Sequence, residues 1–430
     1  MIIRQMFRSQ ISSPLLWGSG IAFAIQVFGT GIKYVLQILF ARWMGASEYG
    51  IFSYAYNWSL LLSVAAGLGL TSSAIRFVPE YIAKQSWSLL NGFIARSNQI
   101  VFGSGLIIAL IGAGIAWQTT TGNTRLTLLL GLLIVPLTGL ATHQSQLLRG
   151  MKNIFWAFTP TRVIQPALAM LLAFVLMRVL GGISSTTALI VTALSILLVT
   201  LIQSLSIVRI VPKNAQNFQS QFETRTWLKI SMPMLISAVA FTFINQIDII
   251  MVGFFREPAQ VGIYAAAAKT ATLVSFVLVS VNAIVAPLIS ELFTLKEYRK
   301  LMVLARTATY WMFVPVFAVT TFLALFGKHI LNLFGPEFVQ GYWPLMILAG
   351  GQLVNALTGP VGYITELTGH QNYSARVYLA AALLAVILNF ALVPRLGILG
   401  ASIGTAAALS ASNLWLYFFV YSKILKKTDR

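Results

Sequence analysis

Long apolar stretches separated by short polar turns repeat along the whole chain. A helix needs about 20 mostly apolar residues to cross the hydrocarbon core of a bilayer. Twelve stretches meet this requirement, and they lie at Leu15–Phe40, Gly50–Ile75, Gln99–Trp117, Leu126–Leu147, Pro160–Leu180, Thr187–Val208, Ile230–Val252, Gly262–Leu288, Val303–Phe326, Tyr342–Leu367, Val377–Val393 and Ala401–Tyr421. The pattern predicts an all-α integral membrane protein with about twelve transmembrane helices. Only short glycine-containing breaks separate the fifth from the sixth stretch and the eleventh from the twelfth, so a total of ten or eleven spans stays an alternative.

The composition excludes several classes of protein. Of the 430 residues, 58% are apolar and 9% are charged, whereas soluble domains carry about 25% charged residues. The chain has no cysteine, and its three histidines stand apart from one another, so we predict no metal site, no cofactor site and no catalytic residue. No predicted loop is long enough for a soluble catalytic domain. We therefore expect a protein that is not an enzyme.

The positive charge of the chain follows the predicted loops. The 29 Lys and Arg residues against 10 Asp and Glu give a net charge of +19, which on a soluble protein would suggest a nucleic-acid partner. Here the bilayer is the predicted partner, because these residues lie between apolar blocks. With a cytoplasmic N-terminus, 21 Lys and Arg fall in inner segments and 6 in outer loops. Inner loops are the positively charged ones, so both termini are predicted to be cytoplasmic.

A weak internal repeat divides the chain. Tyr49-Gly50-Ile51-Phe52 matches Val261-Gly262-Ile263-Tyr264, 212 positions later, and two further matches follow in order at offsets of 219 and 216. We therefore predict a six-helix lobe at residues 1–212 and a second at 213–430. Six spans per half is an even number, so the two halves form a parallel repeat with the substrate path between them.

Polar side chains inside the spans are candidates for the substrate cleft. A charge at the centre of a bilayer costs about 2.5–3.5 kcal/mol on insertion scales, so such residues are functional candidates. The candidates are Lys33, Gln37, Asn245, Asp248 and Lys269. Two interpretations of each charge stay open. Asp248 and Lys269 can form a structural ion pair or contact the cargo, and Lys33 can bind an anionic ligand or extend to the outer interface.

Three further candidates lie at the predicted cytoplasmic ends of spans, namely Arg76, Arg149 and Glu366. Arg76 can pair with Glu80 or anchor the helix at the interface, and anchoring is the favoured interpretation. Glu366 can exchange protons or cap a neighbouring helix.

Three motifs in order resemble one known family. They are the run Phe40–Gly50, the run Asn245–Asp248 with Val261–Tyr264 and Lys269, and the run Asn389–Pro394 with Leu396–Ala401. The chain resembles the polysaccharide transporters, which are flippases for lipid-linked oligosaccharides in the multidrug/oligosaccharidyl-lipid/polysaccharide exporter superfamily. The resemblance implies a V-shaped pair of six-helix lobes with alternating access.

The resemblance also implies a function. We expect a flippase that carries a polyprenyl-diphosphate-linked oligosaccharide across a bacterial-type cytoplasmic (inner) membrane for surface polysaccharide biosynthesis. Glycosyltransferases and a polysaccharide polymerase are the implied functional partners, and protons or sodium ions are candidate coupling ions. Two alternatives within the superfamily stay open: a cation-coupled multidrug exporter, although Asp248 is the only deep acid, and a flippase for the peptidoglycan lipid precursor. A membrane-embedded glycosyltransferase is disfavoured, because it would need a sizeable loop with paired acids, and the longest predicted loops carry only isolated Glu residues.

Overall fold

The computed structural model describes residues 14–212 and 218–424, and these residues form helices and turns with no β-strand. The helices are α1 Pro14–Ala66, α2 Leu70–Ala83, α3 Trp87–Thr119, α4 Gly122–Gly150, α5 Ile154–Leu180, α6 Ser185–Ile210, α7 Thr224–Phe255, α8 Pro258–Thr294, α9 Tyr298–Asn332, α10 Tyr342–Thr358, α11 Val361–Leu396 and α12 Ile398–Ile424. A 3-10 segment, Pro336–Gly341, precedes α10. The predicted all-α fold class is confirmed.

Most of these helices are suited to a membrane. Within the described ranges, nine helices are long and apolar enough to cross a bilayer, and α7, which bends by 44°, makes a tenth. The protein is therefore a multi-pass membrane protein. The count of about twelve spans stays a prediction.

Two glycines explain why the helices differ from the predicted spans. The first predicted span and most of the second lie in α1, which is interrupted at Gly45 with φ 74° and ψ 172°. The tenth predicted span is divided at Gly359, where φ is 72°, so that α10 is only 17 residues long. Glycine adopts these angles without steric cost, whereas other residues do not.

Three helix ends share one turn geometry. After α2, the amide of Ser86 donates to the carbonyl of Tyr81 (2.9 Å), and Gln85 adopts a left-handed conformation with φ 53°. The turns after α4 and α8 repeat this pattern, with Lys152 and Lys296 in the left-handed position. This is the Schellman arrangement, which satisfies the last carbonyls of a helix. Gln85 and Lys296 lie 211 positions apart, close to the offset of the sequence repeat.

The chain forms two compact units. Unit 1 comprises Met1–Phe40 and Trp58–Val239, and unit 2 comprises Ala41–Asn57 and Ala240–Arg430. The long helices α1 and α7 each contribute residues to both units. The division by contacts therefore does not coincide with the midpoint of the sequence, and the lobes at 1–212 and 213–430 stay a prediction.

Unit 1 has an aromatic core where α2, α3 and the start of α7 meet. Trp227 is almost fully buried, and its indole nitrogen donates a hydrogen bond to the hydroxyl of Tyr81 (2.8 Å). Phe93 packs edge-on against Trp227 and also contacts Phe77. Buried aromatic pairs in such geometry contribute about 0.5–1.5 kcal/mol beyond their buried area. This core holds the start of α7 against α2 and α3.

Unit 2 depends on close contacts between backbones. A Cβ at Gly50 would collide with the carbonyl of Pro258, and a Cβ at Gly262 would collide with the carbonyl of Ala46. The second part of α1 therefore lies directly against α8, as is typical of membrane helices that meet at small residues. Gly50 and Gly262 occupy equivalent positions of the repeated motif.

A side chain from a distant part of unit 2 completes the break in α1. The amide of Ala46, which follows Gly45, donates to the Glu337 carboxylate (3.1 Å). The first amides of a helix have no partner inside the helix, so a carboxylate at this position stabilises the new helix start. The Glu337 contact joins the 3-10 segment to the second part of α1.

Candidate functional site

Lys33 and Gln37 lie one helical turn apart on α1 in unit 1. The Lys33 side chain is exposed, whereas Gln37 is buried, with 7% of its surface exposed. Lys33 interacts with other residues of the chain. One turn before Lys33, a Cβ on Gly29 would lie 2.6 Å from the carbonyl oxygen of Arg162. Because Gly29 has no side chain, α1 crosses α5 closely at this level.

Arg162 is a functional candidate that the sequence analysis missed. It is the third residue of the fifth predicted stretch, and because α5 begins at Ile154, Arg162 lies well inside a helix long enough to span the membrane. Its side chain is exposed, and it falls in a π-helical turn, Pro160–Ile164. Such turns recur at functional sites. The signal in the sequence was Pro160, which here lies inside a continuous helix.

Both oxygens of the Asp248 carboxylate, in unit 2, accept hydrogen bonds from neighbouring residues. It is 5% exposed, its Oδ2 accepts a hydrogen bond from the Tyr264 hydroxyl (2.8 Å), and its Oδ1 accepts one from the amide of Ile249 (2.8 Å). The Asp248–Tyr264 bond joins α7 to α8. Tyr264 is a second residue that the sequence analysis missed, although it ends the repeated motif at 261–264.

Asn245 and Lys269 also lie in unit 2. Asn245 is exposed on α7, and Lys269 is half-buried on α8. The described side chains of Asp248 and Lys269 form no ion pair, unlike those of Glu80 and Lys84 or Glu297 and Lys300. The α8 side chain that contacts the Asp248 carboxylate is Tyr264, not Lys269. The Asp248 and Lys269 charges still interact electrostatically.

The predicted cleft residues are thus divided between the two units. Lys33 and Gln37 lie in unit 1, and Asn245, Asp248 and Lys269 lie in unit 2. Within unit 1 the structure places Arg162 next to the helix that carries Lys33. A single cleft formed by all five predicted residues stays a prediction.

The inner-end candidates Arg76 and Arg149 belong to unit 1. Arg76 is exposed with its guanidinium 5.9 Å from the Phe77 ring, while Glu80 pairs with Lys84 (2.7 Å) rather than with Arg76. The Lys84 hydrogen bond lowers the pKa of the Glu80 carboxyl. Arg76 is therefore not the ion-pair partner of Glu80, and its anchoring at the interface stays a prediction.

Arg149 and Glu366 occupy separate environments. Arg149 donates a hydrogen bond to the side chain of Gln146 (2.8 Å), and its guanidinium lies 5.3 Å from the Phe158 ring. Glu366 belongs to unit 2, is exposed, and begins the π-helical turn Glu366–His370 in α11. The described residues contain no group of three or more His, Asp or Glu that could hold a metal ion.

Comparison with known families identifies the chain. The model of the family described as polysaccharide biosynthesis protein matches residues 15–293, which is more than half of the chain. The chain belongs to the polysaccharide biosynthesis protein family. A second family model, MatE, matches residues 233–391. The resemblance found in the sequence is thereby confirmed, and the protein is a membrane transporter of the multidrug/oligosaccharidyl-lipid/polysaccharide exporter superfamily.

Individual relatives agree with this membership. The probable low-salt glycan biosynthesis flippase Agl15 of Haloferax volcanii is 23% identical over 398 residues, which cover 91% of this chain and 80% of that protein. An inward-facing multidrug resistance MATE family transporter superimposes with a TM-score of 0.74 at 15% identity, over 94% of this chain and 96% of the other. The lipid II flippase MurJ gives 0.69 at 18% identity, over 93% and 87%. The chain therefore has the fold of these transporters.

Proposed function

We propose that the protein is a flippase that moves a polyprenyl-diphosphate-linked oligosaccharide from the cytoplasmic to the outer leaflet of the cytoplasmic membrane. The observation that carries this proposal is the presence of exposed cations inside apolar helices of unit 1, in a chain that belongs to a polysaccharide biosynthesis family. Lys33 lies in α1, and Arg162 lies in α5 close to the α1 crossing. Agl15, a flippase by its name, is a relative of this chain along most of its length.

The chemistry of a diphosphate fits these two residues. A diphosphate loses part of its hydration when it enters a membrane protein, and fixed positive charge must compensate. Lys33 supplies a flexible point charge, and Arg162 supplies a planar group that can bind two phosphate oxygens at once. Lys269 in unit 2 stays a separate candidate for cargo binding.

The loop charges support the direction and the location of transport. The excess of Lys and Arg in the predicted inner segments favours cytoplasmic termini. The cargo would then be loaded where its lipid-linked sugars are assembled by glycosyltransferases, and released where a polymerase extends the polysaccharide. Protons or sodium ions are the proposed coupling ions.

A cation-coupled multidrug exporter is the second candidate, and the MatE match and the TM-score of 0.74 favour it. Such exporters couple ions through buried carboxylates. Asp248 is a buried carboxylate, but it already accepts a hydrogen bond from Tyr264 and interacts electrostatically with Lys269, which weakens this candidate. Similarity of fold with MurJ supports a lipid-precursor flippase to the same degree.

Translocation in proteoliposomes tests the proposal. A fluorescent polyprenyl-diphosphate oligosaccharide is reconstituted with the protein, and its appearance in the opposite leaflet is followed by quenching from outside. We expect Lys33→Gln to lower the initial rate by about tenfold or more, since a hydrogen bond to a charged group contributes about 1.5–3 kcal/mol. Lys33→Arg should retain partial activity because it keeps the charge, and Lys33→Glu should abolish translocation.

Lys229→Gln is the matched control, because Lys229 is an exposed lysine of unit 1 near the start of α7. It should translocate at the wild-type rate. Efflux of cationic drugs that survives Lys33→Glu, together with no translocation of the lipid-linked oligosaccharide by the wild-type protein, would contradict the flippase and support the exporter.

A further inference from the structure

A cavity lies at the end of unit 2 where three helix connections meet. Its volume is about 320 Å³, and its polar lining comes from the α7–α8 connection, the 3-10 segment with the start of α10, and the α11–α12 connection. The residues that matter are Arg256, Gln260, Gln340, Trp343, Arg395 and Gly397. This volume is near the lower limit of small-molecule sites, which run from about 300 to 1,000 Å³. The cavity therefore suits a group of one or two sugar rings.

The Arg256 side chain is held rigidly in this cavity. Its Nε and Nη2 donate to the carbonyl of Val393 (3.1 and 3.0 Å), and Nη2 also donates to the carbonyl of Pro394 (2.8 Å). These carbonyls belong to the last turn of α11, so Arg256 caps that helix. Nη1 makes no bond to the described residues, which leaves one end of the guanidinium for a ligand.

Three positively polarised groups line the cavity: Arg256, Arg395 and the start of α12. Arg395 is exposed and adds a second guanidinium. The first residues of α12, beginning at Ile398, also line the cavity, and the free amides at a helix start favour anions. Glu257, the acid next to Arg256, is not among the lining residues. A neutral ligand would gain no electrostatic stabilisation from these positive groups.

Other groups in the cavity fit a sugar rather than a bare anion. Trp343 is 66% exposed, so its ring offers an apolar face on which a sugar ring can stack. Gln260 and Gln340 supply amides for hydroxyl groups. The Oε1 atom of Gln260 is buried and has no hydrogen-bond partner among the described residues.

We infer that this cavity binds a negatively charged sugar, one that carries a carboxylate or a phosphate. The inference rests on the proposed function, in which the oligosaccharide head group passes through the protein. It adds a site for one acidic sugar of that head group at the end of unit 2 that the loop charges place outside the cytoplasm. The protein would therefore prefer acidic to neutral oligosaccharides.

Equilibrium binding to the purified full-length protein tests this inference. The probe is a soluble disaccharide that contains glucuronic acid, titrated into the protein in lipid nanodiscs and followed by calorimetry. A neutral glucose disaccharide and inorganic phosphate are titrated in parallel. We expect the acidic disaccharide to bind at least about tenfold more tightly than either of them, since a charged hydrogen bond changes affinity by that amount.

Two variants locate the site. Arg395→Gln and Trp343→Ala change exposed side chains, so they should fold normally and weaken binding of the acidic disaccharide by about tenfold or more. Lys328→Gln is the matched control. Lys328 lies 5.3 Å from the Tyr342 ring, next to Trp343 in sequence, but outside the cavity lining. It should bind as the wild type does.

Three results would overturn the inference: equal binding of the neutral disaccharide, binding of phosphate as tight as that of the acidic disaccharide, or equal loss of binding in Lys328→Gln. The translocation assay separates this failure from that of the proposed function. A protein that translocates the lipid-linked oligosaccharide but does not bind the soluble acidic disaccharide is a flippase without this sugar site.

Discussion

At the residue scale, the environment of Asp248 shows what sequence spacing can and cannot predict. The rise of 1.5 Å per residue placed Asp248 and Lys269 at similar depths on neighbouring helices, and it left a pair with Lys269 and a contact with the cargo open. It did not predict which α8 residue would meet the carboxylate. Tyr264 and Lys269 are five positions apart, which places them about 140° apart around the helix. That rotation is set by packing, and Tyr264 is the residue turned towards Asp248.

The Asp248–Tyr264 bond predicts strong coupling between these two side chains. Tyr264→Phe removes the hydroxyl donor, and Asp248→Asn removes the negative acceptor. We expect each single variant to lower the thermal stability of the purified protein, and the double variant to be little worse than either. A double-mutant cycle should give a coupling of about 0.6–1.7 kcal/mol, the range measured for hydrogen bonds between membrane helices.

The same cycle with Lys269 is the comparison. Lys269→Gln should couple more weakly to Asp248→Asn than Tyr264→Phe does, because the Asp248 and Lys269 charges interact only electrostatically and no ion pair joins the two described side chains. Strong coupling between Asp248 and Lys269, with none between Asp248 and Tyr264, would restore the ion-pair interpretation.

At the element scale, the apolar stretches predicted the helices well. Each of the twelve stretches lies largely within a helix, since a run of about 20 apolar residues without charges has few other stable forms in a bilayer. The lengths were less predictable. Helices α3, α8 and α9 run for 33, 37 and 35 residues, well beyond the predicted stretches. Their polar ends have no hydrophobic signal, and α8, for example, is ended by the geometry of the turn at Lys296.

The repeated motif acquires a physical meaning at this scale. Its two copies, around Gly50 and Gly262, form the contact between α1 and α8 in unit 2. In the sequence alone, the motif is evidence of duplication and nothing more. That the copies would touch could not be deduced, because a repeat relates two segments of the chain without placing them in space.

The close α1–α8 contact predicts that a substitution at Gly50 lowers the stability of the protein. Gly50→Ala would bring its Cβ against the carbonyl of Pro258, and relief requires the two helices to separate. We expect a destabilisation of about 1–3 kcal/mol, typical of overpacking. The measurement is the melting temperature in detergent, followed by loss of the monodisperse peak in size-exclusion chromatography.

Gly350→Ala provides the control for Gly50→Ala, because Gly350 is helical, lies in unit 2 and has no atom within 4 Å of its added Cβ. Its melting temperature should be unchanged or slightly higher, since alanine favours helix. Equal effects of the two substitutions would mean that helix propensity, not the α1–α8 contact, determines the result.

At the scale of the whole molecule, the sequence predicted the class of protein and its family. Composition and loop charges are averages over hundreds of residues, so an error at a single residue changes them little. The candidate site depends on individual side chains and was predicted less completely. Lys33 and Gln37 do lie one turn apart on α1, but the neighbouring Arg162 and the Asp248 partner Tyr264 emerged only from the structure.

The orientation of the chain in the membrane is predicted from the loop charges alone. Moving a charged loop across the membrane is unfavourable, so the segments rich in Lys and Arg should stay in the cytoplasm. Because the chain has no cysteine, single cysteines report directly on each side. Ser47→Cys and Asn123→Cys, both at exposed positions, should react with an impermeant maleimide added to intact cells. Gln85→Cys, in the exposed turn after α2, should react only after the cells are permeabilised. The reverse pattern would place the termini outside and would invert the proposed direction of transport.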